Sequence, residues 1–386
     1  MFMLKPLALA VLFAISGTTL AASHTATQTQ NGNNNEVTLE QSGEGNTARQ
    51  TQTGDAHRSA VVQSGNNNSV ETLQEGYGSE VNVNQSGNGN LASVYQHPDY
   101  IELQAGHTAS VTQSGDSNTV KLEQQGSFYT NNATLYQEGN NNTYDIHQGS
   151  VYGDNTLTAT TTGNNNQLTV SQTDYVTAQV EQTGNGNQIT LGQSFGGAGG
   201  ADSTISQNGN NNLADVINGG GRYGQNSVAL YQEGDANSAS ISQGGLNSAN
   251  LSQQGNGNNA IVSQGIGGQL YGRSVGNNNA VDIDHRGEGS TVAYVQEGDS
   301  NLLSIDQADS NNYADVNQFG SANEITLLQS GHLTFDPADH SATVRQNGEG
   351  NRVSISQTQE YNPGGQGNTT VVTQAGMGNI VSITQR

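Results

Sequence analysis

Residues 35–46 read NEVTLEQSGEGN, and apolar positions alternate in them with polar ones. Asn35, Val37, Leu39 and Gln41 would share one face of a strand, leaving Glu36, Thr38 and Glu40 on the other. The scheme recurs as Asn187, Ile189, Leu191, Gln193, then as Asn258, Ala260, Val262, Gln264, and again as Asn351, Val353, Ile355, Gln357. Period-two alternation predicts strands, and the short polar stretch after each predicts a tight turn. A stripe of two apolar residues fenced by amides is too narrow to be the face of an ordinary globular core.

Glutamine keeps the count. It stands at positions 30, 41, 52, 63, 74, 85 and 96, always 11 residues apart. The marks continue to Gln385, with Thr161, Asn218, Ser274 and His285 as the substitutes. Counted from 41, every odd-numbered step is 11 residues, and all changes of length fall on the other steps. The unit is therefore a pair of strands, about 22 residues long, with one invariant and one variable turn. Fifteen pairs run from Asn35 to Gln385, after one odd segment, His24 to Gln30.

In every invariant turn glycine follows the mark by two residues and asparagine by five. The expected ladder and turn positions begin with Asn35 and continue as Gln41, Gly43, Asn46; Gln63, Gly65, Asn68; Gln85, Gly87, Asn90; Gln113, Gly115, Asn118; and Gln137, Gly139, Asn142. Further along they are Gln182, Gly184, Asn187; Gln207, Gly209, Asn212; Gln232, Gly234, Asn237; and Gln253, Gly255, Asn258. The last four are Gln296, Gly298, Asn301; Gln318, Gly320, Asn323; Gln346, Gly348, Asn351; and Gln374, Gly376, Asn379. Glycine supplies the positive φ of a tight turn, and asparagine tolerates left-handed neighbours. The variable turns absorb insertions at 97–106, 194–201, 332–339 and 358–367, and these hold Pro98, Pro337 and Pro363. Proline is thus kept out of segments that must donate ladder hydrogen bonds.

A seven-residue strand and a four-residue turn fill the 11-residue step. The pattern predicts an all-β, amyloid-like β-solenoid of about fifteen repeats, two strands per rung, with Ala, Val, Ile and Leu as its dry centre. No rung can bury its apolar face alone, so stacking is the folding step. Asn35 and Gln41, stacked on their equivalents, can hydrogen-bond along the axis, which answers the cost of burying amides. A one-residue slip would turn every amide outward, so register is strongly specified. The terminal rungs would expose strand edges, and growth by end-to-end strand addition is the expectation.

Composition narrows the function. Only 31% of residues are hydrophobic and the net charge is −23, with 10 Lys and Arg in all. That balance excludes a phosphate-neutralising nucleic-acid surface and disfavours anionic lipid. Lys5, the apolar run Leu7–Ile15 and the small residues after it have the layout of a secretory signal peptide over 1–22. Residues 23–34 would be a short N-terminal segment with one half-repeat, and 35–386 the repeat solenoid. No later segment could span a membrane as a helix. Cysteine is absent, and the eight histidines show no metal-ligand spacing, so neither a disulfide nor a metal or cofactor is expected. Acids such as Asp116, Asp235, Asp299 and Glu349 are spread along the turns, either restraining assembly or simply solvated. They form no carboxylate pair for catalysis, and an enzyme is not expected. A calcium β-roll would have Asp where Asn recurs here, and only TLTATTT at 156–162 approaches an ice-binding row.

Units such as NEVTLEQSGEGNTARQTQ and NQITLGQ resemble the repeats of curlin, the subunit of bacterial curli fibres. The resemblance covers the chain behind the signal almost end to end, although fifteen repeats and inserted loops depart from compact members. It implies a secreted, self-assembling amyloid subunit of the bacterial cell surface (a fimbrium), serving adhesion and the biofilm matrix. Its implied partners are further copies of itself, a fibre nucleator and the curli outer-membrane secretion machinery. The terminal SITQR is similar to that of the nucleating subunit, yet few repeats carry the basic substitutions expected of a nucleator. The bulk subunit is therefore preferred over the nucleator, and both over a monomeric secreted adhesin.

Overall fold

The computed structural model describes residues 23–98, 106–126, 128–194, 200–219, 225–331, 339–359 and 367–386. The expected signal peptide, 1–22, lies outside the described residues, as do most positions of the four inserted loops. All regular structure among the described residues is β-strand. Among the described residues no helix is long and apolar enough to cross a membrane.

The chain divides into two compact units, Met1–Val176 and Thr177–Arg386. In the first, successive strands alternate between two parallel sheets. One sheet takes Thr25–Asn31, Thr47–Asp55, Ser69–Tyr77 and every second strand on to Gln167–Thr173. The other takes Glu36–Glu44, Arg58–Asn66, Glu80–Asn88 and so on to Asn155–Asn164. The second unit repeats the arrangement, with Gln188–Ser194 to Ile380–Gln385 in one sheet and Ala201–Asn208 to Thr369–Met377 in the other. Two 11-residue steps return the chain to its starting sheet one rung on, which is why neighbouring strands run parallel. Each unit is a β-solenoid.

Pairing is in register, so like stacks on like. Gln41, Ser42 and Gly43 oppose Gln63, Ser64 and Gly65. Inward aliphatic positions form columns: Leu39, Val61, Val83, Val111 and Leu135 in the first unit, and Val216, Ile241, Val262, Ile283 and Ile305 in the second. These side chains are sealed from solvent wherever a rung lies on both sides, as at Val61 (0% exposed) and Ile283 (1%). Each such burial is worth roughly 1.5–3 kcal/mol. A rung holds only a few of them against the ordering cost of some 22 residues, at about 1–2 kcal/mol each for the backbone. Stability must therefore accumulate over stacked rungs.

The centre is not uniformly dry. Gln28 and Gln50 stand at inward positions, and Gln50 Nε2 donates to Ser59 Oγ at 2.9 Å, itself 3.2 Å from Thr72 Oγ1. The first rungs thus carry a small polar core, in which chains of hydrogen bonds replace aliphatic contact.

Candidate functional site: the amide ladders

The buried glutamines form directed columns. In the first unit Gln30, Gln52, Gln74, Gln96, Gln124, Gln148 and Gln172 are joined by Nε2-to-Oε1 bonds of 2.7–3.0 Å. On the facing sheet Gln41, Gln63, Gln85, Gln113 and Gln137 do the same at 2.8–3.0 Å. The second unit carries Gln182, Gln207, Gln232 and Gln253 at 2.8–3.1 Å, and Gln296, Gln318, Gln346 and Gln374 at 2.9–3.1 Å. Every donor points toward the C-terminal rung. The second amide hydrogen goes to a backbone carbonyl across the rung, as from Gln63 to Thr47 at 3.1 Å, tying the two sheets together.

The asparagines bind backbone rather than one another alone. Asn46 Oδ1 accepts the backbone N–H of Asn68 at 2.9 Å, and its Nδ2 donates to the carbonyl of Gly65 at 2.8 Å. Asn68, Asn90, Asn118 and Asn142 repeat this through Gly87, Gly115, Gly139 and Gly163. In the second unit Asn187, Asn212, Asn237, Asn258 and Asn301 take the carbonyls of Gly209, Gly234, Gly255, Gly276 and Gly320, and Asn323 and Asn351 those of Gly348 and Gly376. Asn379 donates to Asn351 at 2.9 Å. Gly184 and Gly298 hold the same place in their turns, with φ of 112° and 117°.

Glycine two residues after the mark is demanded by the stack. Gly65 has φ 100°, and a Cβ there would lie 2.1 Å from the carbonyl oxygen of Gly87. Only a residue without a side chain lets successive turns approach this closely.

A second corner column runs through the variable turns, and histidine shares it with asparagine. Asn35 Oδ1 accepts the N–H of His57 at 3.0 Å, and Asn35 Nδ2 donates to Gly54 at 2.7 Å. His57, His107 and His340 are fully buried there. His285 is buried in a glutamine column, and burial lowers its pKa to about 4. His97 and His147 instead flank Glu123 on the outer face, at 3.2 and 3.6 Å. No group of three or more His, Cys, Asp or Glu among the described residues could hold a metal ion.

Outward charges are also ordered by the rungs. Arg49 pairs with Glu71 at 3.0 Å, Lys121 with Asp145 at 3.5 Å and Arg273 with Glu297 at 3.0 Å, each one rung apart. Exposed pairs of this kind stabilise by at most about 1 kcal/mol, but they favour one register. The turn acids sit in amide columns: Asp116 Oδ1 accepts from Asn88, and the Asp116 N–H donates to Asn140, both at 2.9 Å. Asp235 is likewise bracketed by Asn210 and Asn256. Interleaved asparagine keeps these acids off adjacent rungs. Opposite charges spaced by 22 or 24 residues were the sequence signal for the ion pairs, visible once the rung length was known.

Parallel sheets, in-register stacking and directed amide columns define a repeat protein of the parallel β-solenoid class. Residues 32–65 match the model of the Curlin associated repeat, and that match supports the curlin family for this chain. The matched stretch spans Glu36–Glu44 and Thr47–Asp55 and enters Arg58–Asn66, so it covers both kinds of turn. No curated protein matches the chain.

Proposed function

We propose that this protein is a structural subunit of an extracellular, curli-type amyloid fibre that grows by end-to-end stacking of its rungs and supports adhesion and biofilm matrix. The observation that carries this reading is the direction of the ladders. Gln374 and Gln385 accept from Gln346 and Gln357 on the preceding rung, and among the described residues no glutamine receives their own amides. Gln30 and Gln41 donate to Gln52 and Gln63 on the following rung, and among the described residues no glutamine donates to their own Oε1 atoms. The two edges are complementary, donor against acceptor, and exposed strand edges template further strands.

A spiral continues when an incoming Thr25–Asn31 lies on Thr369–Met377 and the incoming Glu36–Glu44 lies on Ile380–Gln385. Gln30 then meets Gln374, Asn35 meets Asn379 and Gln41 meets Gln385, with the same 11-residue step on both chains. The joint would also cover Val371, Met377 and Ile380, which are 70%, 74% and 75% exposed at this edge.

Residues 1–22 would direct secretion and be removed, leaving 23–34 as the first half-repeat and 35–386 as the stacking body. A fibre nucleator and an outer-membrane secretion channel would be the partners, as in the family. Electron microscopy and fibre diffraction of the mature chain test the reading. Fibrils that bind thioflavin T and give reflections near about 4.8 and 10 Å are expected. A chain that stays monomeric for days at neutral pH would overturn it.

A further inference from the structure

Four histidines make one and the same unusual contact. His57 Nδ1 accepts the backbone N–H of Ser79 at 3.2 Å, His107 Nδ1 that of Asn131 at 3.1 Å, and His340 Nδ1 that of Asn368 at 2.9 Å. His24 does so for Asn46 at 3.2 Å. In each case the donor lies one rung further on. Elsewhere in these columns asparagine Oδ1 plays the part, as from Asn35 to His57 and from Asn312 to His340. Imidazole imitates the amide oxygen only while Nδ1 carries no proton. An imidazolium has hydrogens on both nitrogens and accepts nothing.

We propose that the corner histidines His57, His107 and His340 make rung stacking acid-sensitive: protonation turns the accepting Nδ1 into a donor aimed at a backbone N–H, and the solenoid loosens at those rungs. The surroundings of His57 and His340 favour the neutral ring. His57 is 0% exposed, with Asp55 as its charged neighbour and the backbone of Thr53 and Gly76 beside it. His340 is 0% exposed, with Asp309 and Asp339 near it and Nε2 3.3 Å from the Ser330 carbonyl oxygen. Along its column His107 stands between Ser79 and Asn131, both uncharged. For His57 and His340 burial outweighs the nearby carboxylates and holds the pKa below the ordinary value.

The sign follows from linkage. A depressed folded-state pKa gives stability that is complete above the unfolded value, about 6.5, and that falls as the pH drops toward the folded value. The contacts lie between rungs of one chain, so the proposal does not depend on the fibre reading. Asparagine is the native alternative at this corner, which makes H57N/H107N/H340N a conservative variant. His24, His97, His147 and His285 are present in both proteins and cancel in the comparison.

Denaturant unfolding of the chain and of the triple variant, from pH 7.5 to 4.5, tests this. The folded-to-unfolded ratio of the parent should fall further than that of the variant, by about tenfold for each full unit by which a corner pKa is depressed. Equal losses would overturn the proposal. Imidazole ¹⁵N shifts give a second reading, valid for monomer or fibre. At pH 7.5 the three corner rings should be Nε2–H tautomers, and an Nδ1–H tautomer would equally overturn it.

Discussion

The hydroxyl of Tyr144 lies 2.8 Å from Thr161 Oγ1 on the facing sheet, and 2.9 Å from the carbonyl oxygen of Tyr136. Thr161 stands where the column would otherwise have glutamine, and Tyr144, fully buried, stands where most rungs have a small aliphatic residue. The two departures are one exchange of volume: the phenol reaches across the rung into the space of the missing amide. The second unit accommodates its buried tyrosine differently: Tyr294 packs on Gly272 of the neighbouring strand in its own sheet, where a Cβ would meet its ring at 2.3 Å, and Ser274, two residues along that strand, bonds Gln296 at 3.1 Å.

Substituting Thr161→Gln alone should therefore overpack the rung and cost about 1–3 kcal/mol. Pairing it with Tyr144→Val should recover most of that loss, because the amide then continues the column beyond Gln137. A double-mutant cycle on chemical denaturation measures the coupling, and simple additivity of the two changes would exclude the exchange.

Two glycines separate stacking from backbone strain. Gly78 has φ 70° and open space where a Cβ would stand, whereas a Cβ at Gly65 would lie 2.1 Å from the Gly87 carbonyl oxygen. Gly78→Ala should cost only the left-handed penalty, about 1–2 kcal/mol. Gly65→Ala must part the rungs as well, and a loss above about 3 kcal/mol is expected in the same assay.

The amide columns predict an inequality between faces. Gln63→Leu would leave the Nε2 of Gln41 and the Oε1 of Gln85 without their partners, at about 1–3 kcal/mol for each buried group. Glu40→Ser touches an exposed outward position of the neighbouring rung, opposite Val62, and should be nearly silent. Thioflavin-T assembly rates and fibre stability in denaturant compare the two. Equal behaviour would remove the columns from the account of stacking.

The strand period, the two-strand rung and the solenoid were legible because the 11-residue spacing is a property of residue order alone. Gln41 and Asn46 could be placed from their spacing, since stacking like on like needs no knowledge of side-chain direction. What spacing could not convey was the chemistry at each contact. Asn46 grips the backbone of the next rung as well as its side chains, because a corner brings carbonyl and N–H within reach of a short amide. The spacing of His57 rules out a metal site but says nothing of its contacts, since only the three-dimensional corner makes its Nδ1 an equivalent of asparagine Oδ1. Thr161 is a substitute whose reason, Tyr144 across the rung, spacing alone does not convey.

The proposed joint can be read out by cross-linking, and the chain has no cysteine to interfere. With Gln30 on Gln374, outward Thr27 faces Val371 across the joint. Neighbouring strands lie about 4.8 Å apart, within the Cα range of a disulfide. Fibres of the T27C/V371C variant should therefore oxidise to covalent multimers. If Thr25–Asn31 instead met Ile380–Gln385, Thr27 would face Ser382, and T27C/S382C would cross-link in its place.

His285 interrupts the column between Gln264 and Gln307 and leaves Gln264 Nε2 and Gln307 Oε1 buried without partners. Its ring occupies space opened by Gly268, where a Cβ would lie 2.4 Å away. His285→Gln should rejoin the column and raise stability at pH 7.5 by about 1–3 kcal/mol, since two orphaned amide groups regain partners. The gain should grow in acid. Burial lowers the His285 pKa to about 4, so the native ring stays neutral while the unfolded one takes up a proton near about pH 6.5. The parent thus loses stability from about pH 6.5 down to pH 4, by on the order of 3 kcal/mol, and the glutamine variant is spared that loss. Unfolding midpoints at pH 7.5 and 4.5 give both terms, and a variant less stable than the parent at both would show that the ring, not the amide, is the better fit to this rung.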